Sequence, residues 1–229
     1  MSFFENSVFF GVTVSIVAYG AGCLLKNKFK KDIFNPVLIS IVAVIAILGI
    51  AHIDYDVYYS GAQYLSYLLT PATVCLAVPL YEKIDLLKEH WRAIIVGILS
   101  GVATTLLCVL TMSLIFGLSH EEYVTFLPKS ITTAIGMGVS EELGGYVTIT
   151  VAVIIITGVL GNIIAPFVCK VFRIKDPIAR GIAIGTASHA IGTSKAMEMG
   201  EVEGAMSSLS IVVSGLLTVV GASIFAQFI

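Results

Sequence analysis

The feature that most constrains this chain of 229 residues is a series of long apolar runs with few charged residues between them. A helix needs about 20 predominantly apolar residues to cross a bilayer. Five runs approach or exceed that length, at about residues 8–25, 37–53, 91–118, 146–169 and 203–229. They predict an all-α polytopic protein that lies in the lipid bilayer as one integral membrane domain over residues 1–229.

Composition supports this class and excludes others. Only 12% of the residues are charged, against about a quarter in soluble domains. The net charge of -2 argues against a basic nucleic-acid-binding domain, so no nucleic-acid partner is expected. The four cysteines are widely spaced and form no CxxC pair, and no phosphate loop or nucleophile elbow is present. We expect no metal, no cofactor and no enzymatic activity.

Three irregular segments interrupt the regular pattern. Proline interrupts a weaker span at 60–81, and a second weaker span at 178–198 turns polar from Ser188. The segment 128–145 offers too few apolar residues to cross the membrane, which favours a re-entrant half-helix. The sequence therefore predicts about seven transmembrane helices plus one re-entrant half-helix.

The basic residues give a predicted orientation, because cytoplasmic loops carry an excess of Lys and Arg. Eleven basic residues follow the first, third and fifth spans: Lys26, Lys28, Lys30, Lys31, Lys83, Lys88, Arg92, Lys170, Arg173, Lys175 and Arg180. The opposite loops carry only acidic charges: Asp54, Asp56, Glu121, Glu122, Glu201 and Glu203. This distribution predicts an N-terminus outside the cell and a cytoplasmic C-terminus.

The predicted orientations also suggest an inverted repeat, with a first half at about 1–118 and a second half at about 126–229. Each half contains one broken span. Paired broken helices in inverted halves are typical of secondary transporters, whose solute site lies near the membrane midplane. By analogy with transporters of this architecture, we expect a homodimer.

Lys129 and Lys195 lie outside the basic loops, and a lysine at membrane depth needs a partner or an aqueous cavity. Lys129 is equally compatible with snorkelling to the interface. Helix N-termini at the breaks would attract an anion such as a small carboxylate. The candidate substrate-binding residues are Thr70, Pro71, Thr73, Lys129, Ser130, Thr132, Thr133, Ser188, His189, Gly192, Thr193, Ser194 and Lys195.

Other polar residues have weaker candidate roles. Glu141, Glu142 and His189 are candidates for a coupling ion, although solvated carboxylates and a hydrogen-bonded histidine are equally ordinary interpretations. The hydroxyls of 128–145 also suit plain helix packing. Asn162, inside the fifth span, is interpreted as an interhelical hydrogen-bonding residue.

The stretches 68–81, 127–145 and 185–196 resemble the LrgB/CidB family of bacterial membrane proteins, and the resemblance extends over essentially the whole chain. It implies a multi-pass protein of the bacterial plasma membrane. It also implies a holin-like or antiholin-like role in autolysis, beside a small LrgA/CidA-type membrane protein. Related proteins transport small monocarboxylates: pyruvate in bacteria, and glycolate and glycerate in plastids.

Three hypotheses follow. The first, which we prefer, is a transporter or facilitator of small monocarboxylates that influences autolysis through metabolite flux. The second is a regulator of murein hydrolase export that moves no solute. The third is a structural subunit that assembles the small LrgA/CidA-type partner. Broken helices and lysines at membrane depth favour the first, because a simple pore does not need them.

Overall fold

The computed structural model describes residues 7, 9–30, 34–75 and 77–229. Within these ranges every regular element is a helix. The chain divides into two compact units, Met1–Cys75 and Leu76–Ile229, called here the first unit and the second unit.

Among its described residues, the first unit contains four helices, α1 (Phe10–Phe29), α2 (Pro36–Ala51), α3 (Tyr55–Ser66) and α4 (Leu69–Cys75). The side chain of Asn35 caps α2 by accepting from Val37 N and Leu38 N. The hydroxyls of Ser15 and Tyr58 lie 2.8 Å apart and join α1 to α3. Gly22 of α1 packs against the backbone of Pro36, where a Cβ would lie 2.8 Å from the carbonyl oxygen, so α1 contacts both α2 and α3.

The second unit contains seven α-helices. They are α5 (Ala77–Glu82), α6 (Ile84–Phe116), α7 (His120–Phe126), α8 (Thr133–Glu142), α9 (Val147–Val171), α10 (Pro177–Met199) and α11 (Glu201–Phe225). A short 3-10 turn, Ala226–Phe228, follows. Buried aliphatic side chains of α6 and α11 form the core, together with Tyr123 and Val124 of α7.

Four helices are long and apolar enough to cross a membrane: α1, α6, α9, and α11 with its 3-10 extension. They coincide with four of the seven predicted spans, and α2, at 16 residues, is shorter. The predicted third span is divided among α3, α4 and α5. The prediction of an all-helical protein is therefore confirmed for the described residues, and four of their helices are candidates for crossing the membrane.

α7 and α8 form a helical hairpin, called hairpin 1 (residues 120–142). Its two arms meet where α9 begins, because Tyr146 N donates to Thr125 Oγ1 at 2.8 Å and the hydroxyls of Ser140 and Thr150 lie 2.7 Å apart. A capping box of Ser119 and Glu122 starts the first arm. The chain thus enters and leaves hairpin 1 at one end of the unit.

α10 is a second hairpin, called hairpin 2 (residues 177–199), because it folds back at His189. His189 has φ 41° and ψ -144°, far from helical values. A Cβ built on Gly192 would lie 3.1 Å from the side chain of Ile184, although eight residues of straight helix span about 12 Å. Residues from both arms, Gly181 and Met197, contact the first turn of α11.

Ion pairs and hydrogen bonds identify the two ends of the second unit. Lys83 Nζ lies 2.9 Å from Glu201 Oε2, and Arg180 Nη1 lies 3.5 Å from Glu203 Oε1. This end, where α6, α10 and α11 begin, is called the basic end. At the other end, called the far end, Tyr123 donates to the carbonyl of Phe225 at 2.9 Å.

These contacts correct part of the predicted topology. Glu201 and Glu203 lie beside Lys83 and Arg180, so their assignment to the side opposite the basic loops is wrong. The predicted sixth span, 178–198, returns to the end from which it starts. The C-terminus therefore lies at the far end, and the prediction that it shares a side with Lys83 is also wrong.

Candidate functional site

The tips of the two hairpins meet near the middle of α9. Lys129 lies at the tip of hairpin 1, where the chain turns between α7 and α8, and it is half-buried. Its Nζ donates to Ser130 Oγ at 3.1 Å. Ser130 is itself buried, and Thr132 and Thr133 at the start of α8 are half-buried. The tip thus carries one cation among several hydroxyls.

A cavity of about 410 Å³, called the basic-end cavity, runs along α9 from Lys129 towards the basic end. Thr157 and Gly161 of α9 lie beside Lys129, and Cys169 and Ile174 line the opposite end of the cavity. The other wall is the first arm of hairpin 2, including Ala187 and Ser188. Most of the wall is apolar, and Lys129 is the charged residue among those that line it.

A second cavity of about 280 Å³, called the far-end cavity, starts from the same lysine. It runs between α6 and the first arm of hairpin 1, from Cys108 past Met112 and Phe126 to Phe116 and Leu118 near the far end. Lys129 is therefore the residue common to both cavities. A solute bound at Lys129 would lie between the two cavities, one of which leads to each end of the second unit.

Hairpin 2 is held against α9 by polar contacts at its tip. His189 Nε2 lies 2.9 Å from the carbonyl oxygen of Ile154; since a carbonyl only accepts, this nitrogen carries the proton. Asn162 Nδ2 donates to Ile191 O at 2.7 Å and to Ser194 Oγ at 3.1 Å. The interpretation of Asn162 as an interhelical hydrogen-bonding residue agrees with these contacts.

Two glycines of α9 allow this close approach. The Cβ of any other residue at 161 would coincide with the Ser188 hydroxyl. A Cβ at position 158 would lie 2.6 Å from the His189 ring. Gly158, Gly161 and Thr157 were not among the predicted site residues, although glycines one turn apart beside Asn162 are a recognisable signal of close helix packing.

Other predicted site residues have structural contacts. Thr193 is fully buried and donates to the carbonyl of His189, and its hydroxyl lies 2.7 Å from that of Ser207 in α11. Gly192 is buried against the first arm of hairpin 2. Ser194 is exposed and hydrogen-bonded to Ile191 O. These residues shape hairpin 2 behind its tip.

Lys195 is separate from the site around Lys129. Its side chain is 12% exposed, and its Nζ lies 3.2 Å from Glu198 Oε2 one turn further along the second arm. It does not line either of the two cavities that share Lys129. Glu141 and Glu142 are exposed at the base of hairpin 1, well away from the tip.

The remaining predicted residues lie in the first unit. Thr70, Pro71 and Thr73 belong to α4, and Pro71 is exposed. The side chains of Thr70 and Thr73 lie outside the part of the chain that the structure describes. Their predicted role stays a prediction.

Comparison with known proteins identifies the family. The model of the LrgB-like family matches residues 15–228. The chain belongs to this family. Relatives named antiholin-like protein LrgB, from Bacillus cereus (strain B4264) and Bacillus anthracis (strain CDC 684 / NRRL 3495), are each 37% identical over 222 residues, which covers 96% of both chains. The resemblance inferred from the sequence motifs is thereby confirmed. No solved structure matches.

Proposed function

We propose that the second unit moves small monocarboxylates across the bacterial plasma membrane and that Lys129 binds the carboxylate. The observation that carries this proposal is the position of Lys129 between two cavities that lead to opposite ends. A lysine at membrane depth costs about 3 kcal/mol unless it meets a partner or water. An anionic solute provides such a partner.

Two helix N-termini add to the positive potential at this point. α8 begins at Thr133, and the Thr132 side chain does not cap it. The second arm of hairpin 2 begins after His189, from the opposite direction. Unsatisfied N–H groups and the helix dipole both favour an anion at a helix N-terminus. The apolar walls beside Lys129 suit a solute with one carboxylate and a small body.

The membrane orientation follows from charge. The basic end carries Lys88, Arg92, Lys170, Arg173 and Lys175 in addition to its ion-paired cations. The excess of positive charge assigns this end to the cytoplasm. Hairpin 2 is then re-entrant from the cytoplasm, hairpin 1 is re-entrant from outside, and the C-terminus lies outside the cell.

The test is uptake of labelled pyruvate, lactate and glycolate into proteoliposomes, with and without the small LrgA/CidA-type protein. Lys129→Ala should reduce uptake to background because it removes the central cation. The control is Lys88→Ala, since Lys88 is exposed at the basic end. Lys195→Ala, assayed in parallel, tests the second lysine that the sequence predicted to bind the solute. Absence of uptake by the unaltered protein in both preparations would overturn the proposal.

The names of the relatives favour a second candidate, an antiholin-like regulator of autolysis that moves no solute. Leakage of a trapped dye from the same liposomes separates the two functions. A transporter should retain the dye while it accumulates carboxylate. A regulator of a membrane lesion should change dye leakage when the LrgA/CidA-type protein is present, and Lys129→Ala should leave that effect unchanged.

A further inference from the structure

The second unit contains two similar segments in opposite orientations. Each consists of a hairpin followed by a spanning helix: hairpin 1 with α9 (residues 120–171) and hairpin 2 with α11 (residues 177–225). These are called copy 1 and copy 2. Copy 1 starts at the far end and copy 2 at the basic end. These two copies differ from the halves that the sequence predicted, which were at about 1–118 and 126–229.

The sequences at the two tips match. Thr132-Thr133-Ala134-Ile135-Gly136 in copy 1 corresponds to Ser188-His189-Ala190-Ile191-Gly192 in copy 2. Both begin with two polar residues and continue with Ala-Ile-Gly at the start of the outgoing arm. The equivalent isoleucines pack on the spanning helix of the other copy. A Cβ on Gly215 would lie 3.2 Å from Ile135, and one on Gly158 would lie 3.0 Å from Ile191.

Each hairpin is also bonded to its own spanning helix. In copy 1 the hydroxyls of Ser140 and Thr150 are hydrogen-bonded at 2.7 Å. In copy 2 the hydroxyls of Thr193 and Ser207 are hydrogen-bonded at the same distance. Glycines add close backbone packing within copy 2, because a Cβ on Gly185 would meet the carbonyl of Ser207 at 2.5 Å. Each hairpin is therefore joined to the spanning helix of its own copy, and hairpin 1 also shares the apolar core with α11 through Tyr123, Val124 and Leu127.

The polar contacts between hairpin 2 and α9 lie at the tip, where Asn162 makes two hydrogen bonds and His189 makes one. Apolar packing continues towards the basic end, where Ala165 of α9 packs with Ile184 and Ala196 of hairpin 2. Beside this apolar packing, the basic-end cavity lies between α9 and the first arm of hairpin 2. The tip contacts close the inner end of this cavity beside Lys129.

We propose that the two copies move against each other as rigid bodies and that Asn162 is the latch between them. This inference rests on the transport function proposed above. Release of the latch lets the tip of hairpin 2 move away from α9 and opens Lys129 to the basic end. At the far end, the far-end cavity lies between hairpin 1 and α6 and gives Lys129 its second route. The solute site then stays near the midplane while access alternates.

Disulfide locks test this inference in a background whose four native cysteines are replaced by alanine. Asn162→Cys with Ser194→Cys bridges the two copies at a pair of side chains whose polar atoms lie 3.1 Å apart. Ser140→Cys with Thr150→Cys is the matched control within copy 1, at 2.7 Å. Oxidation should reduce pyruvate uptake to background in the first protein and leave it unchanged in the second. A reductant should restore uptake.

A second lock keeps Asn162 in place, in case its replacement alone impairs transport. Ile135→Cys with Gly215→Cys joins the tip of hairpin 1 to α11 through a short bis-methanethiosulfonate reagent. Cross-linking should again stop uptake reversibly. Equal uptake with and without a completed cross-link between the copies would overturn the inference and leave the transport function standing. Absence of uptake by the unaltered protein would instead overturn the transport function.

Discussion

At the scale of single residues, the site depends on how closely the tip of hairpin 2 approaches α9. Gly161 carries most of this constraint, because a Cβ at that position would overlap the Ser188 hydroxyl. Ser188 lines the basic-end cavity beside Lys129. A methyl group added at 161 would therefore change the site without altering any charged group.

Gly161→Ala should displace the tip and reduce both thermal stability and uptake, since overpacking of a tight contact costs about 1–3 kcal/mol. Gly138→Ala in α8 is the control, because a Cβ there meets nothing within 4 Å. It should instead stabilise the helix by about 0.5–1 kcal/mol. Thermal unfolding in detergent and proteoliposome uptake measure both effects. Adding Ser188→Gly to Gly161→Ala should recover stability; no recovery would contradict the steric explanation.

At the scale of elements, the sequence predicted the long helices better than the direction of the chain. The apolar runs located α1, α6, α9 and α11, because length and hydropathy decide which helices suit lipid. The polar residues from Ser188 onwards predicted a break, but not that the chain reverses there, because most non-glycine residues keep a negative φ. The wrong side assigned to Glu201 follows from this one missed turn.

Lys129, at the tip of hairpin 1, shows the same limit of prediction from the sequence. Its exclusion from the basic loops identified it as a candidate, and the structure places it where two cavities meet. The choice between Lys129 and Lys195 could not be made from the sequence. It depends on the Lys195–Glu198 contact and on which helices surround each side chain.

The backbone of His189 leads to a prediction about hairpin 2. A non-glycine residue in such a conformation is strained by about 1–3 kcal/mol, and the bond to Ile154 O compensates in part. His189→Gly removes the bond and relieves the strain, whereas His189→Ala removes the bond only. The glycine variant should therefore melt at a higher temperature than the alanine variant. Equal melting temperatures would show that the turn is not held under strain.

At the scale of the whole molecule, the reversal within hairpin 2 decides at which end of the second unit the residues after it lie. Because α10 returns to the basic end, α11 starts there and carries the C-terminus to the far end. The ion pair at the start of α11 supports this arrangement. The hydrogen bond to Glu201 raises the pKa of Lys83 above its usual value, because a carboxylate acceptor favours the protonated ammonium group.

The orientation can be tested with single cysteines introduced into the cysteine-free protein in intact bacterial cells. Ser119→Cys and Gln227→Cys, both at the far end, should react with a membrane-impermeant maleimide from outside. Lys175→Cys and Glu201→Cys should react only after the membrane is permeabilised. Labelling of permeabilised cells shows that each cysteine is reactive. Because α11 and its 3-10 extension join positions 201 and 227, labelling of both positions from the same side would mean that this segment does not cross the membrane. External labelling of 201 with protection of 227 would restore the orientation of α11 that the basic residues of the sequence predicted, and would reverse the direction assigned to both cavities.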